Sequence, residues 1–203
     1  MNDSKFGVPL IGIAGGMGSG KTTAATYIQG KGWPEFQFAG VLKQMTAKLI
    51  GCNPQHLEDQ GFKKKAIPHI GGLTPRYIMQ TLGTEWGRNV LGQDFWINLL
   101  EHHIWRKIEA DDARGRPTPG IVISDVRFKN EADWIHEMGG EVWLIVRGER
   151  AGEGGTHASE QEFNDLDEDR IFFNNGTKSE LFDRIDRNID KVSAHRQIRW
   201  CCK

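Results

Sequence analysis

Leu10-Ile11-Gly12-Ile13-Ala14-Gly15-Gly16-Met17-Gly18-Ser19-Gly20-Lys21-Thr22 carries the reading of the whole chain. Its first five residues, with Val8 and Pro9 before them, are an apolar run suited to a strand buried on both faces. The remaining eight satisfy the pattern G-x-x-x-x-G-K-[ST]. Glycines allow the backbone to curl until successive N–H groups point inward at phosphate oxygens. Lys21 adds a cation for the β- and γ-phosphates, and the Thr22 hydroxyl can ligate magnesium. A helix opening at Thr22 aims its positive end at the same anion. Strand, glycine turn and helix follow in the order this mechanism demands, so the segment reads as a cradle for ATP or GTP. The loop alone does not name a reaction.

Outward from the loop, short apolar runs alternate with helical ones. Strands are expected at Phe36–Phe38, Ile121–Ile123, Glu141–Val146 and Ile171–Phe173. Helices are expected at Thr22–Gln29, about Val41–Ile50, Arg76–Val90, Phe95–Glu109, Asn130–Met138 and Ser179–Val192. Strands separated by helices mean a parallel sheet with crossovers, here an α/β fold of roughly five strands. Gly51–Thr74, with Pro54, Pro68 and Gly71-Gly72 around Lys63-Lys64-Lys65, reads as loop, and the tail after Val192 as peripheral. A length of 203 residues suits one domain, with a helical region at about 51–110 and a glycine-rich surface segment at about 147–160.

Composition narrows the class further. A net charge of -1 gives no basic footprint for gripping nucleic acid. No apolar run reaches the roughly 18 residues of a membrane span, and the first residues lack the order of a signal peptide. Cys52, Cys201 and Cys202 are too few for a disulfide scaffold and lack zinc-ribbon spacing, so a reducing cytoplasm is expected. A symmetric dimer is compatible with the chain, although no residues mark an interface.

Ligands of an open parallel sheet collect at the carboxyl ends of its strands. Asp125, just past Ile121–Ile123, is expected on that rim, where a carboxylate can hold magnesium or its waters and Arg127 can reach a phosphate. Glu131 either orients Arg127 or is a helix-start acid. Arg76, Gln80, Gly83 and Thr84 recur at helical spacing, which makes either a solvated face or one that meets a phosphate and a base edge. Trp96 is either a stacking partner or core. Arg147 and Arg150 near the glycine-rich segment suit a closing lid that neutralises charge and excludes water. His157 with Ser159-Glu160 is either a proton carrier or a capped helix start.

Together these segments resemble the phage deoxynucleoside monophosphate kinases, P-loop relatives of the adenylate-kinase type. The likeness runs from Leu10 to about Ile189. It is carried by the loop, Phe38–Lys43, Arg76–Thr84 with Trp96, Ser124–Arg127 with Glu131, Gly139–Arg147, Thr156-His157, and Asn174-Asn175-Gly176 with Leu181. The resemblance implies ATP on Gly18, Ser19, Gly20, Lys21, Thr22 and Thr23, with Asn175 and Gly176 beside the adenine. It implies a deoxynucleotide acceptor on Arg76, Gln80, Gly83, Thr84 and Trp96, completed by Asp125, Arg127 and Glu131. Lys63–Lys65 lie where such kinases present a basic residue to the acceptor. Met17 stands where a member can carry lysine, and the acceptor-side insertion is short here.

The expected reaction is transfer of the ATP γ-phosphoryl group to a deoxynucleoside 5′-monophosphate, with Mg2+, Lys21, Asp125, Arg127 and Arg147 at the reacting phosphates. Three other readings compete: a kinase for a hydroxymethylated base within phage DNA, a small-metabolite kinase, and a nucleotide-dependent switch. Near-neutral charge weighs against a polymer groove, and the polar helix face from Arg76 to Arg88 weighs against a switch. The partner is therefore expected to be a small molecule, with no stable nucleic acid and no membrane.

Overall fold

A computed structural model of the chain describes residues 4–148 and 166–200. The expected segments at Arg150, at His157 with Ser159-Glu160, and over most of 147–160 lie outside the described residues. Two compact units emerge, one of residues 1–37 and 104–203, the other Phe38–His103.

The first unit is built on five parallel strands: β1 Leu10–Ala14, β2 Glu35–Phe36, β3 Ile121–Val126, β4 Glu141–Val146 and β5 Arg170–Phe173. Their order is β2-β3-β1-β4-β5, with the loop-bearing strand in the middle. Central β1 is buried throughout, as a strand covered on both faces must be. Helix α1, Lys21–Gln29, follows the loop. Ala24, Ala25 and Ile28 of α1 join Ile11, Ile13, Val122 and Trp143 of the sheet, and Leu181, Ile185 and Ile189, in one core. Against the opposite face packs a helix at Lys129–Glu137, here α6, which buries Ala132 and Ile135. Gly12 is what permits this contact, because a Cβ there would lie 2.4 Å from Ile135 Cδ1. The last helix, α7, runs Lys178–Trp200, so helix extends through part of the expected peripheral tail.

The pairing of β3 with β1 is irregular where function gathers. Gly12 faces Ile123, but Ala14 faces Val126, so β3 spends one extra residue between them. Val122 lies in the core with α1, whereas Val126 meets Gly12 on the α6 side. Strict alternation from Val122 would put Ser124 on the α1 side and Asp125 on the other. The bulge gives both residues a single slot, and Asp125 is re-aimed toward the face that carries α1. Asp125 lies within β3, not beyond it.

The second unit is helical: α2 Gly40–Ile50, α3 Gln60–Lys64, α4 Pro75–Gln80 and the start of α5, Phe95–Asp112. Ala47, Ile50, Leu57 and Ile67 form its core. The stretch expected to be loop is instead a series of capped helical turns. Asn53, Asp59 and Thr74 each accept a backbone N–H two or three residues on, and Pro54, Pro68 and Pro75 open their turns. A proline at the first helical position loses no hydrogen bond, so Pro54 and Pro68 start helical turns where they were read as breakers. The expected helix Arg76–Val90 also divides. After α4 the chain widens over Thr81–Leu91 into turns that reach five residues, as in the Gly92 N–H to the Gly87 carbonyl at 3.1 Å.

Candidate active site

The P-loop takes its shape from glycines in backbone conformations closed to other residues. Gly15, Gly18 and Gly20 have φ of 143°, 78° and 107°. Gly15 is hemmed in by backbone, since a Cβ there would sit 2.3 Å from the Ile145 carbonyl oxygen of β4. Ser19 turns inward: it is 4% exposed, its hydroxyl lies near Gly15, and its N–H closes on the Gly16 carbonyl at 3.3 Å. Any part it takes in binding falls to the main chain around it. Gly18, Gly20, Lys21, Thr22 and Thr23 line a cleft of about 290 Å³ together with Arg147, Asn174, Gly176, Lys178 and Leu181. Three cations and no acid line it, which suits a polyphosphate.

The Lys21 ammonium donates to the Gly15 carbonyl at 2.5 Å and the Gly16 carbonyl at 2.7 Å. Desolvation, then the positive charge of Arg127, lower its pKa to about 8, against an opposing pull from Asp125. Asp125 and Arg127 therefore both act electrostatically on the P-loop lysine. The consequence for binding has a definite sign. Below about pH 8 the ammonium is charged and attracts phosphate; above it the charge is progressively lost. In the free enzyme, kcat/KM for the triphosphate should fall above about pH 8, and Lys21→Arg should move that limb to higher pH. A profile flat to pH 10 would refute the assignment of that limb to Lys21.

Glu131 resolves toward a positioning role. It is 3% exposed, and its carboxylate accepts the backbone N–H groups of Arg127 at 2.8 Å and Phe128 at 3.1 Å. It is thus a helix-start acid that orients Arg127 through the main chain, and its burial corrects the expectation that it lines a substrate site directly. Glu131→Ala should destabilise by about 2 kcal/mol, because two donors lose their acceptor, while Glu131→Gln keeps an acceptor oxygen and should cost less. Thermal melts of both variants check this order. Beside Asp125, the Ser124 hydroxyl bonds the Glu35 carboxylate, and Gln37 bonds both.

In the second unit, Arg76, Gln80 and Thr84 are exposed. Arg76 donates to Gln60 at 2.8 Å. Gly83 does not share their outward face: a Cβ there would meet Leu42 at 3.0 Å, and its carbonyl accepts the Trp96 indole N–H at 2.8 Å. Trp96 is 4% exposed, packed against Gly87, Phe95 and Trp86. The core reading of Trp96 prevails over the stacking one. Trp86, which sequence reasoning passed over, is the exposed ring of this cluster. The side-chain amide of Asn175, expected beside the adenine, is bonded to Gly148. Asn174, Lys178 and Leu181 were missed as cleft residues, and the Asn-Asn-Gly turn before a helix was the available signal.

Residues 55–185 match the family of deoxynucleotide monophosphate kinases. The chain belongs to that family. The kinase is 36% identical over 192 residues to a protein of Acanthamoeba polyphaga mimivirus that carries the same family name, covering 91% of this chain and 97% of the relative. The deoxynucleotide monophosphate kinase of Enterobacteria phage T4 is 24% identical over 161 residues, 73% of this chain and 65% of its own. Among solved structures, a dephospho-CoA kinase from Campylobacter jejuni aligns with 92% of this kinase and 98% of its own chain at 12% identity and a TM-score of 0.48. The kinase catalyses phosphoryl transfer to a deoxynucleoside monophosphate, and neither the DNA-base kinase nor the switch is favoured. No helix among the described residues is long and apolar enough to cross a membrane.

Proposed function

We propose that this kinase moves the γ-phosphoryl group of ATP to the 5′-phosphate of a deoxynucleoside monophosphate, with the P-loop cleft as donor site and Arg76, Gln80 and Thr84 on the acceptor side. One observation carries the donor assignment: Gly18, Gly20, Lys21, Thr22, Thr23, Arg147 and Gly176 line one cleft, while Asp125 and Arg127 act on Lys21 beside it. The acceptor phosphate has its second pKa near 6, so at neutral pH its oxygen is already a competent nucleophile and needs no base. That oxygen bonds to the γ-phosphorus as the bond to the β,γ-bridging oxygen breaks, and ADP departs with the electron pair. Lys21, Arg127 and Arg147 hold the reacting groups in line and neutralise charge as it shifts.

Magnesium fits the donor set. Among the described residues no cluster of three or more His, Cys, Asp or Glu is placed to cage a metal, whereas the Thr22 hydroxyl is exposed in the cleft. A cation that draws most of its ligands from phosphates and water needs only one or two protein oxygens, which Thr22 and Asp125 would supply. When bound it would neutralise the β- and γ-oxygens. We place the reaction in the cytoplasm, that of a host if the chain is phage-encoded, with a small nucleotide as partner, no nucleic acid, and a dimer as the assembly to test.

A coupled assay of ADP release across the common deoxynucleoside monophosphates, with matching ribonucleotides as controls, tests the reading. ADP should appear rapidly only when a deoxynucleotide is present. Equal release without acceptor would overturn it.

A further inference from the structure

We propose that Asn174 and Asn175 are a tandem of positioning residues that fixes the P-loop relative to Arg147, so that the two cations of the donor cleft are held at a set separation. The inference rests on the proposed donor site and adds to it a device that nothing in the resemblance or the reaction assigns.

Asn174 grips both sides of the cleft. Its side-chain amide donates to the Ser19 carbonyl of the P-loop at 2.8 Å, two residues before Lys21. A carbonyl can only accept, so the nitrogen of the amide must face it. Its backbone N–H donates to the Val146 carbonyl at 2.7 Å, one residue before Arg147. Gly20 makes the approach possible, because a Cβ there would lie 2.3 Å from the same amide nitrogen. The glycine pattern of the P-loop thus serves a protein contact here as well as a phosphate.

Asn175 closes the other flank of Arg147. Its side-chain oxygen accepts the Gly148 N–H at 2.8 Å and its nitrogen donates to the Gly148 carbonyl at 3.4 Å. Gly148 sits at φ 98°, a left-handed corner that turns the chain as it leaves β4. The main chain on either side of Arg147 is therefore held by consecutive asparagines, through the backbone N–H of Asn174 and the side chain of Asn175, and Asn174 also holds the loop of Lys21. The helix behind them is anchored independently: the Thr177 N–H donates to Glu180, and the Glu180 N–H to the Thr177 hydroxyl. The turn that presents the two amides is thus hydrogen-bonded at both ends. Neither amide need touch a reacting atom.

The test uses inorganic tripolyphosphate, which has charge and no base, beside ATP, each displacing a fluorescent ATP analogue from the full-length protein. With Asn174→Ala, both ligands should weaken alike, by up to about tenfold, the worth of one hydrogen bond of this kind. Asn174→Asp should be worse, since it offers the Ser19 carbonyl no donor and adds negative charge. Asn174→Ser, which keeps a donor, should recover part of the loss and serves also if the alanine variant does not fold. Asn175→Ala should lower kcat roughly fivefold with KM for ATP nearly unchanged, and that loss should vanish in an Arg147→Ala background. Weakened ATP with unchanged tripolyphosphate would overturn the proposal in favour of a base contact, as would an Asn175 effect that persists in full without Arg147. The displacement arms need no acceptor. A wild-type protein that binds tripolyphosphate but shows no deoxynucleotide-dependent ADP release would therefore sink the proposed function and leave the positioning role standing.

Discussion

Lys21→Met should lower kcat at least a hundredfold and, in the absence of nucleotide, raise the melting temperature. The first effect follows from the chemistry: removing one fixed charge from the reacting phosphates costs about 2.7–4 kcal/mol, by analogy with loss of an oxyanion-hole donor. The second follows from the lysine itself, whose pKa is held at about 8 chiefly by desolvation. A lysine depressed in the folded state carries a penalty that is present in full below pH 8. That penalty is relieved as pH rises toward the unfolded value of 10.5. Because the side chain keeps some access to water, the depression is discounted to about 1 kcal/mol, or roughly 3 °C in a chain of this size. Methionine keeps the stem and drops the charge. A folded mutant with wild-type turnover would refute the catalytic role, and a difference in melting temperature between mutant and wild type that does not shift in favour of wild type from pH 7 to about pH 10 would refute the electrostatic account.

Gly15→Ala should be the most damaging small substitution in the P-loop. At φ 143° an L-residue is strained, and its Cβ would be forced to 2.3 Å from the Ile145 carbonyl oxygen, a backbone atom within a central strand. Neither side can give without opening the sheet between β1 and β4. The expected loss is about 3 kcal/mol, from backbone strain together with displaced packing. Gly16→Ala is the control one residue away, because nothing lies within 4 Å of its added Cβ and its φ is not positive. Its stability should stay within about 0.5 kcal/mol of wild type. Urea titrations of the two variants decide the matter: equal midpoints would show that the carbonyl contact does not constrain the loop.

These predictions differ in how far they could be read from residues alone. Gly15–Thr22 was legible because phosphate binding by a curled backbone needs its residues contiguous, and the strand and helix around it left matching periodicities. The five strands were legible for the same local reason. Other features depend on partners far away in the chain. Asn174 reaches Ser19 across 155 positions, which no spacing rule anticipates. Trp96 carried two readings of equal chemistry until its burial against Gly87 and its bond to the Gly83 carbonyl separated them. Pro54 and Pro68 misled for a different reason: the residue that breaks a helix inside it is also well suited to begin one. Gly83 was misassigned because widened turns after Gln80 change the angular step that places neighbours on a common side.

The extra residue in β3 has a consequence for anyone who would transplant this catalytic edge onto another scaffold. Copying Asp125 and Arg127 into an ideal, evenly pleated strand would deliver the acid to the wrong surface of the host, however faithful the letters. The irregular pairing opposite Ile13 has to travel with them. Conversely, deleting either Ser124 or Asp125 removes more than one side chain, since it restores a regular ladder and shifts by one step the point at which everything downstream emerges.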